Sequence, residues 1–175
     1  LEHFPYECTE QIVSRFLPNV LTYRALRDLG LSDPELEEKL PGLVEEGVGK
    51  LVLRQRGDGG WGWWAGGEGE SNPHLSAYVV FALTKAREAD FGVPERTIEA
   101  GLAYLEGTLV RARDLQSYHE ANRQAFILYV MAEAGQVRRT SEYTGDLFKR
   151  RDRLSHYGRA FLAMTLQLQA DETGA

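Results

Sequence analysis

Apolar positions along the chain recur at intervals of three and four, the spacing that gathers them on one face of a helix. Ile12, Val13, Phe16, Leu17, Val20 and Leu21 keep this spacing. Thr9 and Glu10 stand before them, a hydroxyl able to cap and an acid facing the positive end of the helix dipole. A helix is predicted from there to Leu29, with Gly30 as its C-terminal cap. Pro18 removes one internal hydrogen bond, so a kink or break is expected there. Ser32-Asp33-Pro34-Glu35 opens a second helix with a cap and a proline in the first turn. It is predicted to reach about Arg56, with an interruption near Pro41-Gly42. Residues 57–67, Gly-Asp-Gly-Gly-Trp-Gly-Trp-Trp-Ala-Gly-Gly, then break all periodicity. So much glycine is costly inside a helix or strand, and a long loop holding every tryptophan reads as functional or as a packing plug.

Beyond this loop the helices repeat in pairs. Ser76-Ala77-Tyr78-Val79-Val80-Phe81-Ala82-Leu83 is apolar nearly all round, and the segment from Pro94 to about Val110 carries Ile98, Leu102, Leu105 and Leu109 on one face. The alternation returns with the apolar residues 124–131 and the polar segment Ser141 to Arg151, and a third apolar helix follows at 159–166. Each apolar helix begins with a small residue and an aromatic one: Ala77-Tyr78, Ala125-Phe126, Ala160-Phe161. A helix apolar on all sides must be buried on all sides, so the repeat predicts a double layer with apolar helices inside and amphipathic ones outside. The fold class expected is all-α, an α/α toroid in one domain over 1–175. The alternative is an irregular helical solenoid. In the double layer the inner helices run parallel, so their N-termini share one rim. With the first helix also inner, that rim collects residues 8–11, the tryptophan loop, His74, His119 and His156.

Composition narrows the chemistry. A net charge of -6 and short, mixed basic runs offer no nucleic-acid footprint. No apolar run approaches the roughly 20 residues of a membrane span, and no basic, apolar, small-residue leader is present. From the start inside a motif and the thin 171–175 tail, a piece of a longer protein is expected. One cysteine allows neither an internal disulfide framework nor a multi-cysteine zinc site. No metal site and no cofactor are expected.

That cysteine stands in Pro5-Tyr6-Glu7-Cys8-Thr9-Glu10-Gln11. A thiol at a helix N-terminus is acidified, and the backbone N–H groups there can meet a developing oxyanion. A lone cysteine is otherwise most often a buried structural one. The C-T-E-Q stretch opening an all-helical segment, with Pro5-Tyr6 before it, resembles the thioester signature of the alpha-2-macroglobulin and complement superfamily. Glu7 and Thr9 replace the glycines that flank the cysteine in the vertebrate pattern, and residues 14–20 look closer to the bacterial branch. The Gly-Gly-Trp-Gly-Trp-Trp loop and Leu75-Ser76-Ala77-Tyr78-Val79 extend the resemblance along the chain.

The resemblance implies the thioester domain of a protease trap, not a turnover enzyme: an α/α toroid of terpenoid-cyclase and prenyltransferase type, here an incomplete one built of helix hairpins. It implies that the Cys8 sulfur and the Gln11 carboxamide form an internal thioester, which acylates a lysine amine on an attacking protease. The partners would be proteases and the remaining domains of a parent macroglobulin, in the periplasm, in the cell envelope or secreted. Glu10 would polarise the site or only favour the helix N-terminus. His119 would assist transfer, as a histidine does in complement members, or satisfy a turn. Tyr6, Trp61, Trp63 and Trp64 would shield the bond from water or plug the barrel mouth. Two other classes stay open. Residues 55–61 fit the Q-x-x-x-G-x-W repeat of terpenoid cyclases, but no D-x-D-D-like acidic cluster accompanies it. A helical interaction scaffold with an inert Cys8 is the other.

Overall fold

The computed structural model describes residues 7–66 and 69–174. Among them there are seven α-helices and no strand: α1 (Thr9–Leu29), α2 (Pro34–Leu53), α3 (Pro73–Glu88), α4 (Glu95–Gly107), α5 (Tyr118–Glu133), α6 (Val137–Phe148) and α7 (His156–Gly174). Two compact units divide the chain, residues 1–101 and 102–175. No described helix is long and apolar enough to cross a membrane.

In the first unit α1 packs against both α2 and α3. Its buried stripe is Thr9, Ile12, Val13, Phe16 and Val20. Its C-terminus ends as expected, with Gly30 in the left-handed region at φ 62. The expected break at Pro18 does not occur, and α1 is one helix. Pro18 lies on the exposed side, where water can satisfy the carbonyl it leaves free, while Phe16 and Val20 hold the helix from the buried side. Pro41 likewise fails to interrupt α2, which is capped by the Asp33 side chain accepting from the Leu36 N–H at 3.2 Å. The two helices close tightly because position 47 has no side chain: a Cβ there would lie 2.4 Å from Phe16 Cδ2.

α2 stops at Leu53, short of Arg56, because one carbonyl of its last turn is claimed by the loop. The Trp61 indole N–H donates to the Leu51 carbonyl at 2.8 Å, the acceptor that Gln55 N–H would have used in a longer helix. Trp61 is wholly buried, which is worth on the order of 5 kcal/mol of apolar burial. The Gln55 amide donates to the Gly59 and Thr97 carbonyls, at 2.9 Å each. The helix-capping group is the indole.

In the second unit α5 packs on α6 and α7. It is buried nearly all round from Ala121 to Ala132, as its sequence requires. The small-then-aromatic pairs of α5 and α7 meet: Phe161 stacks edge-on with Phe126 and Tyr157, at centroid distances of 5.0 and 4.6 Å. Asn122 ties the starts of the same two helices, its Oδ1 accepting from the Ser155 N–H and hydroxyl at 3.0 and 2.7 Å. α7 departs from expectation. Leu162 and Thr165 are buried, but Ala160, Ala163 and Met164 are exposed, because α5 and α6 cover only one of its faces. α6 starts at Val137, ahead of the expected Ser141, and its buried stripe of Val137, Thr140, Thr144 and Leu147 is half threonine. Both hydroxyls bond to carbonyls of their own helix, and Gln169 of α7 donates to Thr144 at 3.0 Å. α4 ends at Gly107 rather than Val110, since the Gln124 carboxamide takes both the Val110 N–H and its carbonyl.

Candidate functional site

Cys8, not Thr9, is the N-cap of α1. Its backbone is extended (φ -77, ψ 162) and its Sγ accepts from the Gln11 N–H at 3.4 Å. The Gln11 side chain returns the contact, its Oε1 accepting from the Cys8 N–H at 3.0 Å. This is a capping box with sulfur in the place of a hydroxyl. The box bends the glutamine chain back over the first turn and fixes its carbonyl oxygen on a backbone donor. The amide carbon, one bond from that oxygen, is held beside residue 8. Cys8 is a free thiol, half-buried, and Gln11 is exposed.

A thiol attacking the Gln11 amide carbon would push electrons onto Oε1, the atom that already accepts from Cys8 N–H. The donor sits where charge would develop, which is the requirement for an oxyanion hole. The helix N-terminus adds the positive end of the α1 dipole. Glu10 turns aside: its carboxylate accepts from the Ser14 hydroxyl at 2.6 Å.

The tryptophan loop lies directly against this turn. Thr9 N–H donates to the Trp63 carbonyl at 2.9 Å, and the Thr9 hydroxyl, wholly buried, donates to the Gly62 carbonyl at 2.7 Å. The other side of the loop is fixed to the start of α3. Asn72 N–H donates to the Trp61 carbonyl, and Trp61 N–H donates to the Ser76 hydroxyl at 2.8 Å. Within the first unit the N-termini of α1 and α3 therefore share an end with the loop. His74, exposed at the start of α3, belongs to that end. The three indoles differ: Trp61 is a core residue, while Trp63 and Trp64 are 49% and 58% exposed. Tyr6 lies outside the described residues. His119 and His156 are exposed at the starts of α5 and α7 in the second unit, and His119 meets the Tyr118 ring edge-on at 5.8 Å. Among the described residues no group of histidine, cysteine and acid side chains could hold a metal ion.

Sequence reasoning missed the ionic flank of the site. Glu7, whose side chain is 12% exposed, pairs with Arg15 at 2.6 Å and Lys50 at 3.3 Å. Lys50 also pairs with Glu46 at 2.7 Å. Its pKa is raised, first by the hydrogen bond to Glu46; burial opposes the rise, and the contact with Glu7 adds to it. The Lys50 amine is thus held as ammonium. These residues line a groove of about 430 Å³ beside α1 and α2. The Glu7–Lys50 pair spans 43 positions, and no local pattern announces it.

The A-macroglobulin TED domain family model matches residues 1–108. The chain is 28% identical to the alpha-2-macroglobulin of Rickettsia conorii over 152 residues, 85% of this chain and 8% of that protein. The native conformation of Escherichia coli alpha-2-macroglobulin superposes at a TM-score of 0.74 with 26% identity, over 97% of this chain and 11% of that one. Salmonella alpha-2-macroglobulin reacted with methylamine superposes equally well, at 0.74 and 26%, over 97% and 11%. The chain thus spans about a tenth of the length of these relatives. It has the all-α, α/α-toroid class of fold.

Proposed function

The chain belongs to the A-macroglobulin TED domain family, and from that membership we propose that it is the acyl-donor part of a protease-trapping alpha-2-macroglobulin. Both compact units belong to one thioester domain. The observation that carries the reading is the reciprocal Cys8–Gln11 pair.

The chemistry runs in two steps. The Cys8 sulfur attacks the Gln11 amide carbon, charge gathers on Oε1 against the Cys8 N–H, and the amide nitrogen leaves with the thiol proton as ammonia. The product is an internal thioester. A lysine amine of a protease then attacks the same carbon, the oxyanion forms again on the same donor, and the Cys8 thiol is released as an amide bond forms. Gln11 is consumed, so the domain acts once. Trp63, Trp64 and Tyr6 limit water at the bond, and Trp61 anchors the loop that carries the first two. Glu10 stabilises the helix start. His119 is assigned no step here, and amines are the preferred nucleophiles. The remaining domains of the parent protein complete the shield, in the periplasm or cell envelope.

Intact mass and thiol titration test the reading. Chains prepared without added nucleophile should be lighter by one ammonia and carry no titratable thiol. Methylamine should add to the mass and release one thiol, and Gln11→Ala should abolish both effects. An unreduced mass with a thiol already titratable would overturn the proposal. A terpenoid-cyclase reading gains nothing from the structure, since among the described residues no group of histidine, cysteine and acid side chains that could hold a metal ion accompanies the Gln55–Trp61 motif.

A further inference from the structure

Thr9 stands between the two reacting residues, yet it belongs to a different set of contacts. Its side chain is 0% exposed. Its hydroxyl donates to Gly62 O at 2.7 Å and accepts from Arg54 Nη1 at 3.5 Å, while its N–H donates to Trp63 O. One residue therefore joins the first turn of α1, the cap of α2 and the tryptophan loop. The loop segment it holds is tightly placed. Gly62 lies under the Arg56 guanidinium, where a Cβ would be 2.0 Å from Nη2, and Arg56 also donates to the Gly69 carbonyl. Trp61 is locked in the core. Trp63, the next residue after Gly62, is tied to α1 only through Thr9 among the described backbone bonds.

We propose that Thr9 is the positioning residue that fixes the tryptophan loop against the Cys8–Gln11 pair, and so sets how quickly water reaches the thioester. This rests on the acyl-donor reading above. A glycine or an alkyl side chain at position 9 keeps the backbone bond to Trp63 but has no hydroxyl for Gly62. The buried Gly62 carbonyl and the Arg54 donor are then left without this partner, and the loop relaxes to find water. Water that satisfies the loop backbone then enters beside Thr9, the residue next to Cys8. The side chain at position 9 thereby determines how long the bond survives, without touching it.

The test compares Thr9→Val, Thr9→Ser and, as a control for lost stability alone, Thr144→Val in the second unit. All are made in the full 175-residue chain. The readouts are the fraction of chains lighter by one ammonia, the rate at which thiol appears in buffer, and acrylamide quenching of tryptophan fluorescence. Thr9→Val should lose the thioester about tenfold faster than wild type, the factor that one hydrogen bond of ordinary net strength carries. Its quenching should rise, because Trp63 and Trp64 become freer. Thr9→Ser, which keeps the hydroxyl, should restore both readouts, and Thr144→Val should alter neither. Equal hydrolysis rates in wild type and Thr9→Val, or equal acceleration by Thr144→Val, would overturn the positioning role while leaving the acyl-donor reading intact. A wild-type chain with no missing ammonia would overturn both.

Discussion

Replacing Cys8 by serine should destroy the chemistry and strengthen the fold. At the N-cap, Cys8 offers the Gln11 N–H a sulfur acceptor at 3.4 Å, and sulfur is a weak acceptor. Serine ranks among the best N-cap residues, and losing such a cap to alanine costs about 1 kcal/mol. Cys8→Ser should therefore exceed Cys8→Ala in unfolding free energy by about 1 kcal/mol, or roughly 2–4 °C in Tm for a chain of this size. The other half of the box, Gln11 Oε1 on the residue-8 N–H, is shared by both variants and cancels. The proper cysteine reference is wild type after methylamine, because an intact thioester would itself cross-link the turn. Methylamine leaves the Gln11 carbonyl oxygen in place, so the box can re-form. This reference should fall between the two variants. The assay is urea unfolding followed by far-ultraviolet circular dichroism. Equal midpoints for Ser and Ala would refute the argument, since the residue-8 side chain would then not cap α1.

Gly47→Ala should destabilise the first unit: the gain of roughly 1 kcal/mol in helix propensity is outweighed by forcing apart α1 and α2, with a net loss of about 1–2 kcal/mol in urea unfolding. The obstructing atoms, Phe16 Cδ2, Cγ and Cβ, lie close to the backbone and cannot simply swing away. Gly47→Ala combined with Phe16→Leu should recover part of the loss. The Lys50 pairs give a pH dependence. A raised folded pKa means the charged form is favoured by folding. That stability is full below the ordinary lysine value of about 10.4 and is lost as pH rises through the higher folded value. Wild type should lose stability across that window more steeply than Lys50→Met, by a modest amount because the Lys50 side chain is 36% exposed. Parallel curves for the two would refute it.

What was legible in the sequence is what neighbouring residues settle among themselves. α1 runs from Thr9 to Leu29 with Gly30 as its cap, and each cue lies within a turn of the residue it governs. Cys8 and Gln11 are three positions apart, so the helix period alone brings their side chains to one place. The misread ends depend on distant groups. α2 stops early because an indole eight residues past its end takes a carbonyl, and α4 stops early because Gln124 captures Val110. The polarity of α6 hid its core face, because buried threonines there spend their hydroxyls on their own helix. Pro18 misled in the opposite direction. A local penalty was overridden by packing on the far side of α1.

The same division runs through the site. An acyl donor needs reacting groups held together and water held away, and these demands are met at different ranges. Togetherness is local: the box costs the chain only one turn of helix, and any sequence with a suitable cap and glutamine can make it. Exclusion of water is not local, because a helix N-terminus is by construction a place where N–H groups seek outside partners. Here Thr9 spends its N–H on Trp63 rather than on solvent, and its hydroxyl seals the next carbonyl of the loop. The loop in turn is held by the buried indole of Trp61 on α2 and by Ser76 of α3. A four-residue motif can therefore be transplanted far more easily than the conditions for its survival. A peptide of residues 7–29 should retain the Cys8–Gln11 capping geometry in part, yet its thioester, if formed, should hydrolyse at the rate of a free one, because Arg54, Gly62 and Trp63, the described partners that Thr9 holds against the N-terminus, all lie beyond residue 53.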